Sequence, residues 1–160
     1  MKHCIQNTLS LFEFHDAEFS FLSFQDNNLV ISAKHLNIHK NTLQNPDDCD
    51  MEIDIAKITF YDVTMISYEL IQGYITDADG NKYTNDPKVF LTDKEASLKF
   101  TDELKNKIFL NYLDIYNENN KQIIEIGTCA PTVFTAIFSC KNLSVEWDKY
   151  SQKAWYELHK

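Results

Sequence analysis

The sequence predicts an α+β, β-dominated fold: a mainly antiparallel sheet built from successive hairpins, with one helix around residues 94–105. Three observations lead there. β-Branched and aromatic residues number 52 against only eight alanines, and such side chains fit the pleated surface of a sheet. Apolar-rich runs recur in pairs around short polar patches of turn-forming residues, notably Gln25 to Asn28 and Glu118 to Asn120. One stretch, after Asp93, combines helical spacing with a capping residue. The chain has 160 residues and is read as a single domain, 1–160. A domain of that size buries roughly 70% of its unfolded surface and needs no covalent staples.

Residues 1–13 mix polar and apolar positions without a clear period and are taken as an irregular or short helical lead-in. From Phe14 to His39 two apolar-rich runs flank Gln25 to Asn28, as in a β-hairpin. Alternation places Phe19, Phe21 and Ser23 on one face and Glu18, Ser20, Leu22 and Phe24 on the other. In the return run Leu29, Ile31 and Ala33 share a parity that Leu36 and Ile38 break, which predicts a bulge or break near Lys34 and His35. Asp26, Asn27 and Asn28 tolerate the left-handed conformation that tight turns demand.

NTLQNPDDCD, from Asn41 to Asp50, has loop composition, and the following MEIDIAKITFYD reads as a strand. Its alternation sets Met51, Ile53 and Ile55 inward and Asp50, Glu52 and Asp54 outward. VTMISYELIQGYI is expected to pair with it as a second hairpin across Tyr61 to Thr64, with Gly73 marking a bulge. A polar loop from Thr76 to Lys88 leads to a short run, Val89 to Leu91. Asp93 is then expected to cap a helix from Lys94 to about Lys105, with Ala96, Phe100 and Leu104 on one face.

Beyond the helix, two runs flanking Glu118 to Asn120 repeat the logic of the opening hairpin. TVFTAIFSC reads as a buried strand, with LSVEWD as its antiparallel return. At the end, Trp147, Tyr150, Ala154 and Leu158 have helical spacing, whereas Ala154, Tyr156 and Leu158 alternate as in a strand; the strand reading is preferred.

Charge and composition exclude several classes of function. The net charge is −9 and all 15 basic residues are lysine. A nucleic-acid partner is not expected, because phosphates repel such a surface and arginine carries much of base and phosphate recognition. No apolar run approaches the ~20 residues of a spanning helix, and the opening residues, with Glu13, His15 and Asp16, do not read as a secretory leader. The chain is therefore expected to be soluble and cytoplasmic. Its four cysteines, Cys4, Cys49, Cys129 and Cys140, form no C-x-x-C pair and are expected to be reduced.

Motifs for chemistry are weak. His15–Asp16 has the residue pair of metal phosphohydrolases, but it stands at a strand entry without their helical context. His35 and His39, with Cys49 or Asp50, contain zinc-ligand types, yet along a strand the two imidazoles would stand roughly 13 Å apart. Asp77, Asp79 and Asn81 match the first ligands of a calcium loop whose sixth and twelfth positions fail, being Lys82 and Lys88. Only three glycines exist, all isolated, so no phosphate-cradling loop forms, and neither Cys129 nor Cys140 has a histidine close in sequence. No catalytic residue, metal or cofactor is assigned.

The one unusual constellation is acidic. Between Asn41 and Asp62 six carboxylates face a single lysine, Lys57. Asp47, Asp48, Asp50, Glu52 and Asp54 are the candidate partner-binding residues, since such a field speeds encounter with a cationic partner. The closing aromatics Trp147, Tyr150, Trp155 and Tyr156 read as packing.

FHDAEFSFLSFQDNNLVI resembles the opening of small bacterial proteins in which a His-Asp-Ala segment leads into a hairpin. Some of those are grouped with immunity proteins of polymorphic toxin systems. The ending VEWDKYSQKAWYE is similar to a recurrent tail in which a glycine often stands near Ser151 or Gln152 and is missing here. The resemblance implies an intracellular bacterial protein that is not an enzyme, and no functional residue is carried over from it. The expected function is noncatalytic binding of a basic protein, such as a toxin, by the acidic strand and loop. The alternative is a small-molecule-binding or hydrolytic domain with a pocket between sheet and helix, using His15, Asp16 or Glu146.

Overall fold

A computed structural model of the chain describes residues 1–84, 86–119 and 121–158. Its first half comprises β1 (His3–Gln6), β2 (Phe12–Glu13), β3 (Glu18–Gln25), β4 (Asn28–Lys34), β5 (Asn37–Ile38), β6 (Met51–Ile53), β7 (Ala56–Tyr61) and β8 (Thr64–Leu70). Then come β9 (Ile75–Thr76), β10 (Lys82–Tyr83), β11 (Phe90–Thr92), the single α-helix α1 (Asp93–Lys105) and β12 (Ile108–Glu118). β13 (Lys121–Ala130), β14 (Phe134–Cys140), β15 (Asn142–Trp147), β16 (Tyr150–Lys153) and a 3₁₀ turn at Trp155–Glu157 complete the described chain. The β-dominated α+β class read from the sequence is the architecture observed, and the strand pairing is antiparallel throughout.

Ten strands form one sheet in the order β1-β15-β7-β4-β3-β12-β13-β14-β8-β11, four form a smaller sheet ordered β16-β6-β5-β2, and β9 pairs with β10 alone. The large sheet is pinched where β3 meets β12, since only Phe19 and Glu18 pair there, with Ile108 and Phe109. It folds over at that pinch. Phe60 on β7 meets Phe138 on β14 edge to face at 5.1 Å, although the two strands are not neighbours. α1 packs against β8, β11 and β3, burying the expected Ala96, Phe100 and Leu104. Phe100 reaches Phe134 at 6.2 Å and Phe138 at 5.9 Å. Aromatic side chains thereby occupy the space between helix and sheet.

The opening hairpin forms as its residues dictate. Asp26 and Asn27 take positive φ values, 50° and 58°, which makes the two-residue turn compatible with strand twist. A register shift between Phe21 and Ser23 changes the parity of β3, so Phe24 packs against the core together with Phe21 and does not face away from it. His35 has φ 55° and ends β4, and this break lets Leu36 and Ile38 be buried like Leu29, Ile31 and Ala33.

Several expectations are corrected. The lead-in is not helical and is only partly irregular, because β1 pairs with β15 and β2 with β5 on either side of the turn between them. β7 and β8 are not a hairpin. Tyr61 C=O accepts from Lys141 N–H at 2.8 Å and Val63 N–H donates to Asn27 C=O at 2.7 Å. The backbone groups that a turn would use on itself thus go to neighbouring strands. Nor is β15 the return of β14, since Lys141 alone separates them, fewer residues than the two a tight hairpin loop needs. β15 pairs instead with β1 and β7. Asp93 does not cap α1; Thr92 occupies the N-cap without a side-chain bond, and Asp93 and Glu95 lie in the first turn, where the helix dipole favours negative charge. Gly73 lies beyond the end of β8, its N–H donating to Asp86 Oδ2 at 2.9 Å, and marks no bulge. The tail divides into strand β16 and the 3₁₀ turn.

Candidate functional site

The acidic segment does not form one flat face. Asp47 and Asp48 are exposed on the loop joining β5 to β6, but Asp50 is only 8% exposed. Glu52 is mostly covered, accepting from Ser151 Oγ and Gln152 Nε2 at 3.2 Å each and facing His35 Nδ1 at 3.5 Å. Asp54 is exposed beside Lys149 Nζ at 3.3 Å. The alternation argument placed Asp50 outward and Ile55 inward, and both are reversed: Asp50 because donors gather around its carboxylate, Ile55 because the strand is not continuous. β6 ends at Ile53, the chain breaks at Asp54 and Ile55, and Ile55 is 47% exposed.

Asn45, fully buried, organises the loop that carries these acids. Its Nδ2 donates to the carbonyls of Ile38 and His39 at 3.3 Å and of Cys49 at 3.1 Å, drawing the two ends of the loop together. Thr42 Oγ1 accepts from Asn45 N–H at 3.0 Å, and Tyr150 donates to Gln44 C=O at 2.6 Å from β16. The loop ends are His39 and Asp50. His39 Nδ1 lies 3.0 Å from Asp50 Oδ2, Lys40 N–H donates to Asp50 Oδ1 at 2.8 Å, and Tyr156 O–H donates to Oδ2 at 2.9 Å.

Burial alone would raise the pKa of Asp50. The hydrogen bonds from His39, Lys40 N–H and Tyr156, with the charge of His39, outweigh it and hold the carboxyl below its ordinary value. An ionised carboxylate only accepts, so Nδ1 of His39 carries the proton and Nε2 is the ring nitrogen left for a ligand. Burial and Asp50 together push the Tyr156 phenol well up, keeping it a donor.

Around this hub opens a cleft of about 510 Å³ lined by Glu13, His15, His39, Asp50, Trp155 and Tyr156. Trp155 is 51% exposed and meets Tyr156 edge to face at 5.5 Å. Glu13 Oε1 accepts from His15 N–H at 2.9 Å, and Asp16 Oδ2 lies 3.0 Å from His15 Nδ1. Of the residues in the alternative reading, His15 reaches the cleft and Asp16 supports its ring. Glu146 is elsewhere, paired with Lys57 across β15 and β7.

His35 and His39 do not converge, since each has its own carboxylate partner. Cys49 Sγ contacts Met51 Sδ at 3.8 Å, and among the described residues no three His, Cys, Asp or Glu side chains gather as a metal site would require. The Asp77 carboxylate is used within its own turn, accepting from Asn81 Nδ2 and from the N–H groups of Asn81 and Asp79, which lowers its pKa. No described helix is long and apolar enough to cross a membrane.

Sequence reasoning named His39 as a zinc-ligand type and Asp50 both as a zinc-ligand type and as a partner-binding acid, and it set Trp155 and Tyr156 aside as packing. What it missed was Asn45, whose position between them in the loop was the available signal. Compared with known proteins, the chain matches no family model, no curated protein and no solved structure. Fold and site together define a β-dominated α+β domain with an acidic, aromatic cleft at its small sheet.

Proposed function

We propose that the chain is a noncatalytic binding protein of the immunity type, acting in the bacterial cytoplasm on a basic protein such as a toxin. Its docking element in this reading is the acidic cleft together with the exposed loop acids. The observation that carries it is Asp50, a nearly buried carboxylate kept ionised in a cleft shared with Glu13 and the exposed indole of Trp155. A lysine or arginine entering there gains charge-assisted hydrogen bonds and an aromatic face, the combination that makes an interface anchor. Asp47 and Asp48, exposed on the rim, supply long-range attraction. Four free cysteines fit a reducing compartment.

A small-molecule or hydrolytic role is the second reading, favoured by the His39–Asp50 pair, because a carboxylate behind an imidazole is how a general base is oriented. No serine, threonine or cysteine lines the cleft among the described residues, so hydrolysis there would run through water activated by His39 and not through a side-chain hydroxyl or thiol.

The test uses a basic protein recovered from the native host and purified, with binding kinetics measured against surface variants. Trp155→Ala and Glu13→Gln should each speed dissociation by about tenfold, the effect of losing one anchor contact. Asp47→Asn with Asp48→Asn should slow association and flatten its salt dependence. Unchanged kinetics in all three variants would remove the cleft from the interface.

A further inference from the structure

A second hollow lies at the end of β15 remote from Trp147 and shares no residue with the acidic cleft. It measures about 540 Å³ and is formed where the adjoining ends of β12 and β13, the corner between β14 and β15 and the segment after β1 meet. Its lining is dominated by carboxamides: Asn7, Asn117, Asn119, Gln122 and Asn142. An adjoining hollow of about 270 Å³ shares Asn7 and Asn142 and adds the ring of Tyr61.

These amides are largely unspent. Asn7 Oδ1 accepts from Leu143 N–H at 2.9 Å, which fixes the side chain, and its NH₂ group has no acceptor among the described residues. Gln122 Oε1 is buried and has no donor among the described residues. Among the described residues, the charged side chains on the wall are Glu118 and Lys141, of opposite sign, so the hollow selects neither an anion nor a cation. Tyr61 is 40% exposed, and its hydroxyl lies 3.3 Å from Ser144 Oγ, which holds the ring in place.

We propose that this double hollow is a binding site for a neutral carbohydrate. A carboxamide offers a donor and an acceptor in one plane, the pattern that a pair of neighbouring sugar hydroxyls complements. A sugar also has an apolar C–H face, which an exposed phenol ring can cover. The site is independent of the proposed docking of a basic protein.

Titration of the intact ¹⁵N-labelled chain with glucose, galactose, mannose, N-acetylglucosamine and their β1,4-linked trimers, followed by NMR, tests this. At least one saccharide should shift the side-chain NH₂ signals of Asn7, Gln122 and Asn142 saturably. Asn142→Ala and Asn117→Ala, both exposed positions, should weaken that binding by about tenfold each with melting temperature unchanged, the effect of losing a hydrogen-bond pair. Tyr61→Ala should weaken it as well. Absence of saturable shifts with every sugar would overturn the proposal. So would equal shifts with sorbitol or a glycine-rich peptide, or unaltered binding by both asparagine variants.

Discussion

His39 and Asp50 stand eleven positions apart, yet His39 Nδ1 lies 3.0 Å from Asp50 Oδ2 because the loop between them is closed around one buried amide, Asn45. The cleft therefore depends on a residue that does not line it.

Asn45→Ala should lower stability by about 1–3 kcal/mol, since it strips donors from three loop carbonyls and leaves a void. Urea unfolding measures the loss. The His39 ring resonances should shift at the same time, because the loop ends are no longer drawn together. A neutral substitution would show that Tyr150 and Thr42 alone hold the loop.

Asp50 sets the acid limb of stability. Its folded pKa lies below the ordinary 3.8, so its contribution is complete above that value and is lost as pH falls through the lower folded value. Asp50→Asn should cost about 1–3 kcal/mol at neutral pH, because a buried acceptor of three donors is weakened, and should flatten the acid transition. Tyr156→Phe should move that transition to higher pH by removing one of the donors. Asp54→Asn, at an exposed site, should stay within about 0.5 kcal/mol. Acid titration of unfolding by circular dichroism separates these outcomes.

Gly127 pairs with Tyr112 across β13 and β12, and a methyl group there would overlap the tyrosine ring. Gly127→Ala should destabilise by about 1–3 kcal/mol through overpacking and disturb the 2.8 Å hydrogen bond from Tyr112 O–H to Glu125. In a Tyr112→Ala background the same change should be nearly neutral. A double-mutant cycle reads that coupling directly.

Cys4 and Cys129 are exposed, whereas Cys49 and Cys140 are buried, and burial pushes the Cys140 thiol up to about 11. A thiol reagent at neutral pH should label Cys4 and Cys129 quickly in the native chain and all four cysteines in denaturant. Fast labelling of Cys140 in the native chain would contradict the packing of β14 against α1.

Much of the fold was legible locally. The Asp26–Asn27 turn, the parity break at His35 and the four-residue spacing of Ala96, Phe100 and Leu104 are consequences of neighbouring residues, and each of these features lies where those residues put it. The sequence by itself therefore determined the class of the protein, most of its strands, its single helix and its acidity. It determined the pairing of the two local hairpins, β3 with β4 and β12 with β13, but not which of the other strands pair. Tyr61 to Thr64 has the form of a hairpin turn, but carbonyl and amide groups remote in sequence compete for its backbone, and they win. The facing of Asp50 was decided in the same way. Alternation assigns a side by parity alone, whereas the observed side follows from three donors on His39, Lys40 and Tyr156 that only the folded chain brings to one carboxylate. Burial of a charge becomes favourable only when such partners are already in place, and their assembly is a property of tertiary structure.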